Sequence, residues 1–577
     1  MLLPKINEIP TSRTMIDVFG GYNHNLRIGE NEFYEMKNLS SDNYPVLSPR
    51  PHRGVYAIPD SPSGLVSKDS LCYVDGTDFV TNKYRVDMGL SNEPKTLISM
   101  GAYVIIMPDK KYINTADTTD YGSIEATVTT SSTVSFELCK LDGVAYDNAA
   151  VQGTAPESPS NMDLWIDTSS TPHTLKQYSS TSAMWVAIAT TYIKISATGI
   201  GKPFSENDGV TISGIEDKDL ADLNNTMVIW ARGDDYIVVT GILDEAISQE
   251  KPITIKRQMP KMDFVIESGN RLWGCRYGTA LNGEVVNEIY ASKLGDFKNW
   301  NCYAGISTDS YAATVGTDGQ FTGAIEHLGY PLFFKETCMH KVYGNYPANY
   351  QIQTTTCRGV QKGCEKSLAI VNEVLYYKAR SGVVAYDGSL PAEISSAFGE
   401  INYYNAVAGS LGNKYYISMS DANEKWHLFV YDSKKGMWHR EDDTQATAFC
   451  NCRGDLYYID YADKKIKAVR GTGVLETTPI KWEAVTGYLN TDSPDKKYIS
   501  RMVVRMLLDA GAVVSFFAEY DSCGEWEHLF STDGIYLKSF SVPIRPQRCD
   551  HMRLKIIGTG DAKIFSITKT IEQGSDE

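Results

Sequence analysis

An all-β fold is predicted by three observations on this 577-residue chain. It has 36 Tyr beside 46 Gly, a mix suited to strands joined by tight turns. Its apolar runs are short, β-branched or aromatic, and bounded by Gly, Asp, Asn or Ser, with long helical periodicity nearly absent. One hairpin pattern also recurs. It appears as GNRLWGCRYG…NEIYASKL from Gly269, GYPLFFKETCMHKVYG from Gly329, NEVLYYKARSGVVAYDG from Asn372, NKYYISMSD…KWHLFVYDSKKGMW from Asn413 and GDLYYIDYADKKIKAV from Gly454.

Aligning Trp273, Phe333, Tyr376, Tyr415 and Tyr457 gives intervals of 60, 43, 39 and 42 residues. LCYVDGTDFVTNKYRV from Leu71 and GAYVIIMPDKKYIN from Gly101 read as two earlier members. A period near 40 with short strands is the signature of a propeller blade, so the expected core is a β-propeller of about six to eight blades. Its parts would be residues 1–121 and 259–474. Between them, 122–258 turn rich in Thr, Ser and Ala, with strand signals at Thr127–Leu138, Asp163–Asp167, Trp185–Ser196 and Tyr236–Thr240. That stretch reads as an inserted β-sandwich region of one or two modules. Residues 475–577 alternate apolar and polar in RMVVRMLL, VVSFFAEY, KSFSVPI and MRLKIIG, which predicts a C-terminal β-sandwich. Helical turns are expected only at Asn31–Leu39, Asp217–Asn224 and Lys362–Ala369.

The net charge of −16 excludes a protein that grips nucleic acid by its phosphates. MLLPKINEIPTSR lacks the charged and apolar regions of a signal peptide, and Ala102–Pro108 and Ala510–Ala518 are too short to cross a bilayer. Synthesis in the cytoplasm without membrane insertion is therefore expected. The eleven Cys are scattered without a Cys-x-x-Cys; Cys450/Cys452, Cys357/Cys364 and the Cys549/His551 pair read as buried thiols and neighbours rather than metal ligands. No metal or cofactor is expected.

No G-x-S-x-G, H-E-x-x-H or phosphate-loop motif is present, and GIGKPF at Gly199 lacks the Ser or Thr after Lys202. The chain is therefore expected not to be an enzyme. A propeller raises one catalytic alternative, a sialidase or other glycosidase. Its S-x-D-x-G-x-x-W turn is approached by YDSKKGMW, where Asp432, Gly436 and Trp438 read instead as a structural hairpin with a packed indole. Trp165, Tyr178, Trp185 and Tyr192 in the insertion are candidates for stacking on sugar rings. Arg545, Arg548 and Arg553 are candidate assembly contacts.

FGGYNHNLRIGENEFYEMKNLSSDNYPVLSPRPHRG, from Phe19 to Gly54, resembles the N-terminal signature of the tail nozzle or stabilisation proteins of tailed bacteriophages. The matching residues are Gly20, Gly21, Asn38, Leu39, Asp42, Asn43, Arg50, Pro51 and Gly54. Met259–Gly278 with Asn287–Trp300 resembles the central blade motif of that family, and Lys538–Asp576 its terminal sandwich. Pro159–Ile188 is similar to a small module of phage tail and fibre proteins. The early segment would supply a strand that completes the last blade and fastens the ring. The resemblance implies a structural virion protein of the phage tail, a homo-oligomeric, commonly hexameric ring beside portal, adaptor and other tail proteins. Such a ring would retain genomic DNA and conduct it at ejection without specific binding, an acidic lumen repelling the phosphates. The alternative is a receptor-binding tail protein whose inserted module recognises host surface glycans.

Overall fold

The structure, a computed structural model, describes residues 11–573 apart from 281–282, 472, 492–494, 534–535 and 546. It is all-β, built from many small antiparallel sheets; the helical segments described are single 3-10 turns at Ala221–Leu223, Pro347–Asn349, Glu365–Ser367 and Ser396–Phe398. Two compact units result. The first comprises Met1–Thr96, Phe333–Met339 and Thr354–Glu577, the second Leu97–Leu332 and His340–Gln353.

In the first unit the repeated hairpins are consecutive four-stranded sheets. One runs Pro62–Ser67, Leu71–Asp75, Asp78–Val80, Arg85–Asp87; the next Ala369–Val371, Val374–Ala379, Gly382–Tyr386, Ala392–Glu393; the third Tyr404–Leu411, Lys414–Ser420, Trp426–Asp432, Met437–Arg440. Their second strands are covered on both faces, so Lys414–Ser420 is buried throughout. The tyrosine excess has its cause here. Tyr376 of one sheet stacks on Tyr415 of the next at 5.4 Å, and the buried Tyr415 hydroxyl donates to the Ser367 carbonyl at 2.7 Å. Such phenols fill the gap between sheets and also satisfy backbone acceptors. Turns follow the chain's turn residues: Arg453 and Gly454, both at positive φ, make the two-residue reversal between Ala446–Cys452 and Asp455–Asp460.

The last repeat has only three consecutive strands of its own before Val474–Leu475, and Gly54–Ala57 completes it by pairing with Ile466–Ala468. This is the early strand expected from the Phe19–Gly54 segment. Thr11–Ile16 and Phe33–Lys37, upstream of it, join the two C-terminal sheets as edge strands. The helical turn expected at Asn31–Leu39 is therefore a strand. A bulge between Phe33 and Glu35 turns both Phe33 and Met36 inward, and that spacing of three imitates a helix. Asp217–Asn224 and Lys362–Ala369 shorten to the 3-10 turns Ala221–Leu223 and Glu365–Ser367.

The C-terminal sheets have the orders Thr11–Ile16, Ala562–Gln573, Lys497–Leu508, Lys538–Val542 and Phe33–Lys37, Lys481–Thr486, Met552–Thr559, Val513–Tyr520, Glu527–Thr532. The alternation in the sequence becomes alternation in burial: Met502, Val504, Met506, Val514, Phe516, Leu554 and Ile556 are all inside.

The second unit repeats the four-strand sheet in Thr96–Met100, Tyr103–Met107, Lys111–Asn114, Tyr121–Ser123 and in Phe264–Ser268, Arg271–Thr279, Val285–Ala291, Tyr311–Thr314. Strands Gly323–His327, Tyr330–Lys335, Cys338–Tyr343 and Gln351–Thr356 follow the same order. Between them, a four-stranded and a five-stranded sheet enclose one apolar core. Val128, Val210, Ile212 and Ile255 come from the first; Val134, Phe136, Ile193, Ile195, Ile237 and Val239 come from the second. A separate small sheet, Ala150–Gln152, Leu164–Asp167, Thr174–Ser179 and Met184–Ala187, includes one parallel pair. Eight of the eleven cysteines are buried, and burial pushes the Cys72 thiol up to about 11 and the half-buried Cys450 up to about 12.

Candidate functional site

A cleft of about 650 Å³ opens in the first unit where the first strands of three sheets begin. Tyr404–Leu411 lies against Ala446–Cys452, which lies against Pro62–Ser67. Gly409 permits the first approach: a methyl group there would stand 2.6 Å from Cβ of Phe449. Each strand carries a bulge at its head, between Tyr404 and Val407, between Ala446 and Ala448, and between Pro62 and Gly64. The lining includes the bulged residues themselves, Asn405–Val407, Ala446–Ala448, Pro62 and Ser63. A bulge leaves a residue out of the ladder and redirects its side chain, which frees these positions for a ligand. Asn405 is held at φ +53, with its amide donating to the Ser420 hydroxyl at 3.2 Å.

The rest of the wall comes from loops. Trp426 begins a third strand, Ile459–Lys464 is a reversal, Glu365 and Lys366 sit on a 3-10 turn, and Asn92–Pro94 leave the first sheet. Trp426 is half-buried and Tyr461 is exposed. Asn92, Asn405, Gln445, Ser61, Ser63 and Thr447 supply amides and hydroxyls. The Ser63 Oγ is buried and has no hydrogen-bond partner among the described residues. Asp460 is engaged by Lys467 at 2.7 Å, whereas Glu93 and Glu365 make no ion pair among the described residues. Lys366 donates to the Thr447 carbonyl at 3.1 Å; desolvation of its ammonium lowers its pKa, although the side chain as a whole reaches solvent.

Sequence reasoning singled out none of these lining residues as a site. They come from segments between Ser61 and Lys464, and only long-range pairing brings the bulges together. The signal that was present is Trp426, an aromatic at the head of a strand rather than within it.

Three of the four candidate sugar-stacking aromatics come together and the fourth lies on another sheet. Trp165, Tyr178 and Trp185 form one group on the small sheet, with Trp185 5.4 Å from Trp165 and 5.3 Å from Tyr178. Trp165 is buried, donates Nε1 to the Gln152 carbonyl and carries the Lys176 ammonium 4.7 Å above its ring. Tyr192 belongs to the five-stranded sheet and meets Trp230 instead. Arg545 and Arg548 are exposed, but Arg553 donates to the buried Glu519 at 2.6 Å. In the YDSKKGMW turn, Asp432 accepts from Ser41 and Trp438 is buried with Nε1 on the Ile394 carbonyl, as a structural hairpin requires.

No known protein family and no curated protein matches the chain. Among solved structures, an exo-β-1,3-galactanase from Phanerochaete chrysosporium with galactose is similar at 8% identity, covering 53% of this chain and 94% of that one, with a TM-score of 0.21. An engineered GH43 glycoside hydrolase with endo-xylanase and exo-arabinofuranosidase activity matches at 9% identity over 54% and 96%, TM-score 0.20. Trypanosoma rangeli sialidase in complex with sialic acid matches at 10% identity over 97% and 95%, TM-score 0.25.

The expectation of a phage tail nozzle or receptor-binding tail protein, and of a chain that is not an enzyme, finds no counterpart among these structures, which are glycoside hydrolases and a sialidase. The segment that carried the nozzle resemblance works within the chain. Asp42 pairs with Lys414 at 2.8 Å and Arg470 at 2.9 Å, Arg50 donates to Asn38 and Glu476, and the Asn38 amide donates to the Lys481 carbonyl. Its glycines and charges thus fasten the N-terminal strands, a need independent of any assembly. TM-scores this low do not carry an activity across, so function is argued from the chain's own residues.

Proposed function

We propose that the chain is a carbohydrate-binding protein built on a β-propeller, with its sugar site in the cleft between Trp426 and the three bulged strand heads. The support for the propeller is the succession of seven like sheets, the completion of the last by Gly54–Ala57, and the contact of its first strand with that of the first repeat. The observation that carries the sugar site is the coincidence of three bulges on one cleft whose lining mixes aromatic rings with amides and hydroxyls. Pyranose rings present an apolar C–H face and a polar rim. Trp426 and Tyr461 suit the face, and Asn405, Gln445, Ser63 and Lys366 suit the rim.

Hydrolysis of the bound sugar is the second reading, favoured by the two carboxylates of the cleft, Glu93 and Glu365, that no ion pair engages. A glycosidase needs one carboxyl to protonate the leaving oxygen and another as base or nucleophile. Calorimetric titration with a panel of neutral oligosaccharides, run beside a hydrolysis assay, tests both. Trp426→Ala is expected to weaken binding about tenfold, roughly 1.4 kcal/mol. Glu365→Gln and Glu93→Gln are expected to keep binding and to abolish any turnover. Unchanged titration by the Trp426 variant would remove the cleft as the site; turnover unaffected in both glutamate variants would remove hydrolysis by these residues.

A further inference from the structure

The outer face of the C-terminal five-stranded sheet carries a band of alternating rings and cations. Val514, Phe516, Ala518, Met552, Leu554 and Ile556 turn inward, which leaves Phe517, Arg553 and Lys555 on the opposite side. The register sets Phe517 opposite both Lys555 and His528, and Glu519 opposite Arg553. Loops add two further rings. The Arg553 guanidinium lies 5.4 Å from the Tyr488 ring and 5.5 Å from Trp526, and the Lys555 ammonium 4.3 Å from Trp526 and 5.9 Å from Phe517. His551 closes the band against Tyr488 at 4.7 Å, and His528 closes it against Phe517 at 5.1 Å. Tyr488 is 38% exposed, and Trp526, Phe517 and Lys555 are half-buried.

We propose that this face is a second carbohydrate surface, on which a neutral polysaccharide strand lies across the sheet. Three rings in a row offer successive stacking platforms, and the cations hold them in place while keeping N–H donors beside each. Charge selects against a polyanion. Arg553 is committed to the buried Glu519, His551 to Asp550, and the exposed Glu525 and Glu527 flank Trp526. Lys555 makes no ion pair among the described residues and is placed to donate to ring hydroxyls. The face lies on a different sheet from the cleft, so the proposal shares the carbohydrate reading but stands or falls by other residues.

Electrophoresis of the full chain through native gels containing soluble xylan, β-glucan or galactan tests it. Retardation by at least one neutral polymer is expected, reduced about threefold or more in affinity by Trp526→Ala and by the gentler Lys555→Gln. Near-ultraviolet dichroism checks that the variants are folded. The proposal is overturned if no neutral polymer retards the chain, or if Trp426→Ala abolishes retardation while both face variants retain it. Retardation confined to polyuronate or single-stranded oligonucleotide gels would overturn it equally.

Discussion

Arg53→Ala is expected to destabilise the protein by about 3–5 kcal/mol, the largest single-residue effect anticipated from its polar contacts. Arg53 is almost fully buried and donates to Glu441 and Asp442 at 2.7 and 2.8 Å, to the Thr444 hydroxyl at 2.8 Å and to the Tyr458 phenol at 3.2 Å. Alanine would leave the buried Glu441 without its counter-ion, and desolvation of an unpaired carboxylate is what makes such deletions costly. The pair also joins distant parts of the chain, because Arg53 immediately precedes Gly54–Ala57, the strand that completes the last repeat sheet. Urea titration followed by tryptophan fluorescence measures the loss; a change below about 1 kcal/mol would show that water replaces the guanidinium.

The same cluster sets an acid limit. Burial by itself would raise the Asp442 carboxyl, but Arg53 and Arg50 outweigh it and hold the pKa down to about 2. A carboxylate depressed in the folded state contributes stability that is complete above its unfolded value, about 3.9, and is lost as pH falls toward 2. Stability is therefore expected to decline below about pH 4, with a shallower decline in Arg53→Ala, where less of the depression survives. Denaturant midpoints measured between pH 6 and 2.5 would reveal equal slopes if the cluster played no part.

Trp438→Ala is expected to cost a further about 3–5 kcal/mol by a different route, an unfilled cavity. The indole is 2% exposed, lies 4.6 Å from Phe398 and 5.0 Å from Tyr431, and donates Nε1 to the Ile394 carbonyl at 2.8 Å. Its backbone carbonyl also accepts from the Tyr22 amide at 2.6 Å, and a side chain at Gly21 would collide with that oxygen. Loss of the ring should thus loosen the N-terminal segment as well, visible as faster proteolysis ahead of Phe33. Trp438→Phe keeps most of the volume and loses mainly the Nε1 hydrogen bond, about 1 kcal/mol. If the alanine and phenylalanine variants melt alike, cavity formation is not the cause.

Much of the fold was legible because the repeat announces itself locally. A turn residue at positive φ followed by an aromatic strand recurs at Asn372 and Gly454, and the burial of Tyr377 and Tyr458 shows where those aromatics go. The early strand that completes the last sheet was expected from the resemblance carried by Phe19–Gly54, and it begins at the end of that segment, at Gly54–Ala57. Asn31–Leu39 misled because a bulge turned Phe33 and Met36 to one side, and tertiary pairing with Lys481–Thr486 overrode the local spacing. Among the insertion aromatics, Tyr192 stands apart from Trp165, Tyr178 and Trp185 for a related reason. Trp185 and Tyr192 are seven positions apart in the chain but fall in separate sheets. Neighbourhood in sequence did not become neighbourhood in space.

By itself, then, the sequence determined the class of this protein: strands, tight turns and a repeat, with alternation deciding which side chains of each C-terminal strand are buried. The cleft, the completion of the last repeat sheet by Gly54–Ala57 and the ring-and-cation band were decided by the tertiary structure. Alternation has a period of two and specifies a face, whereas a site depends on which strands meet and in what register. Asn405 lies 342 residues from Ser63 and 42 from Thr447, and each is an ordinary strand residue until a bulge turns it. Only the pairing of whole strands, stabilised by contacts distant in sequence, brings those three bulges to the rim of one cleft.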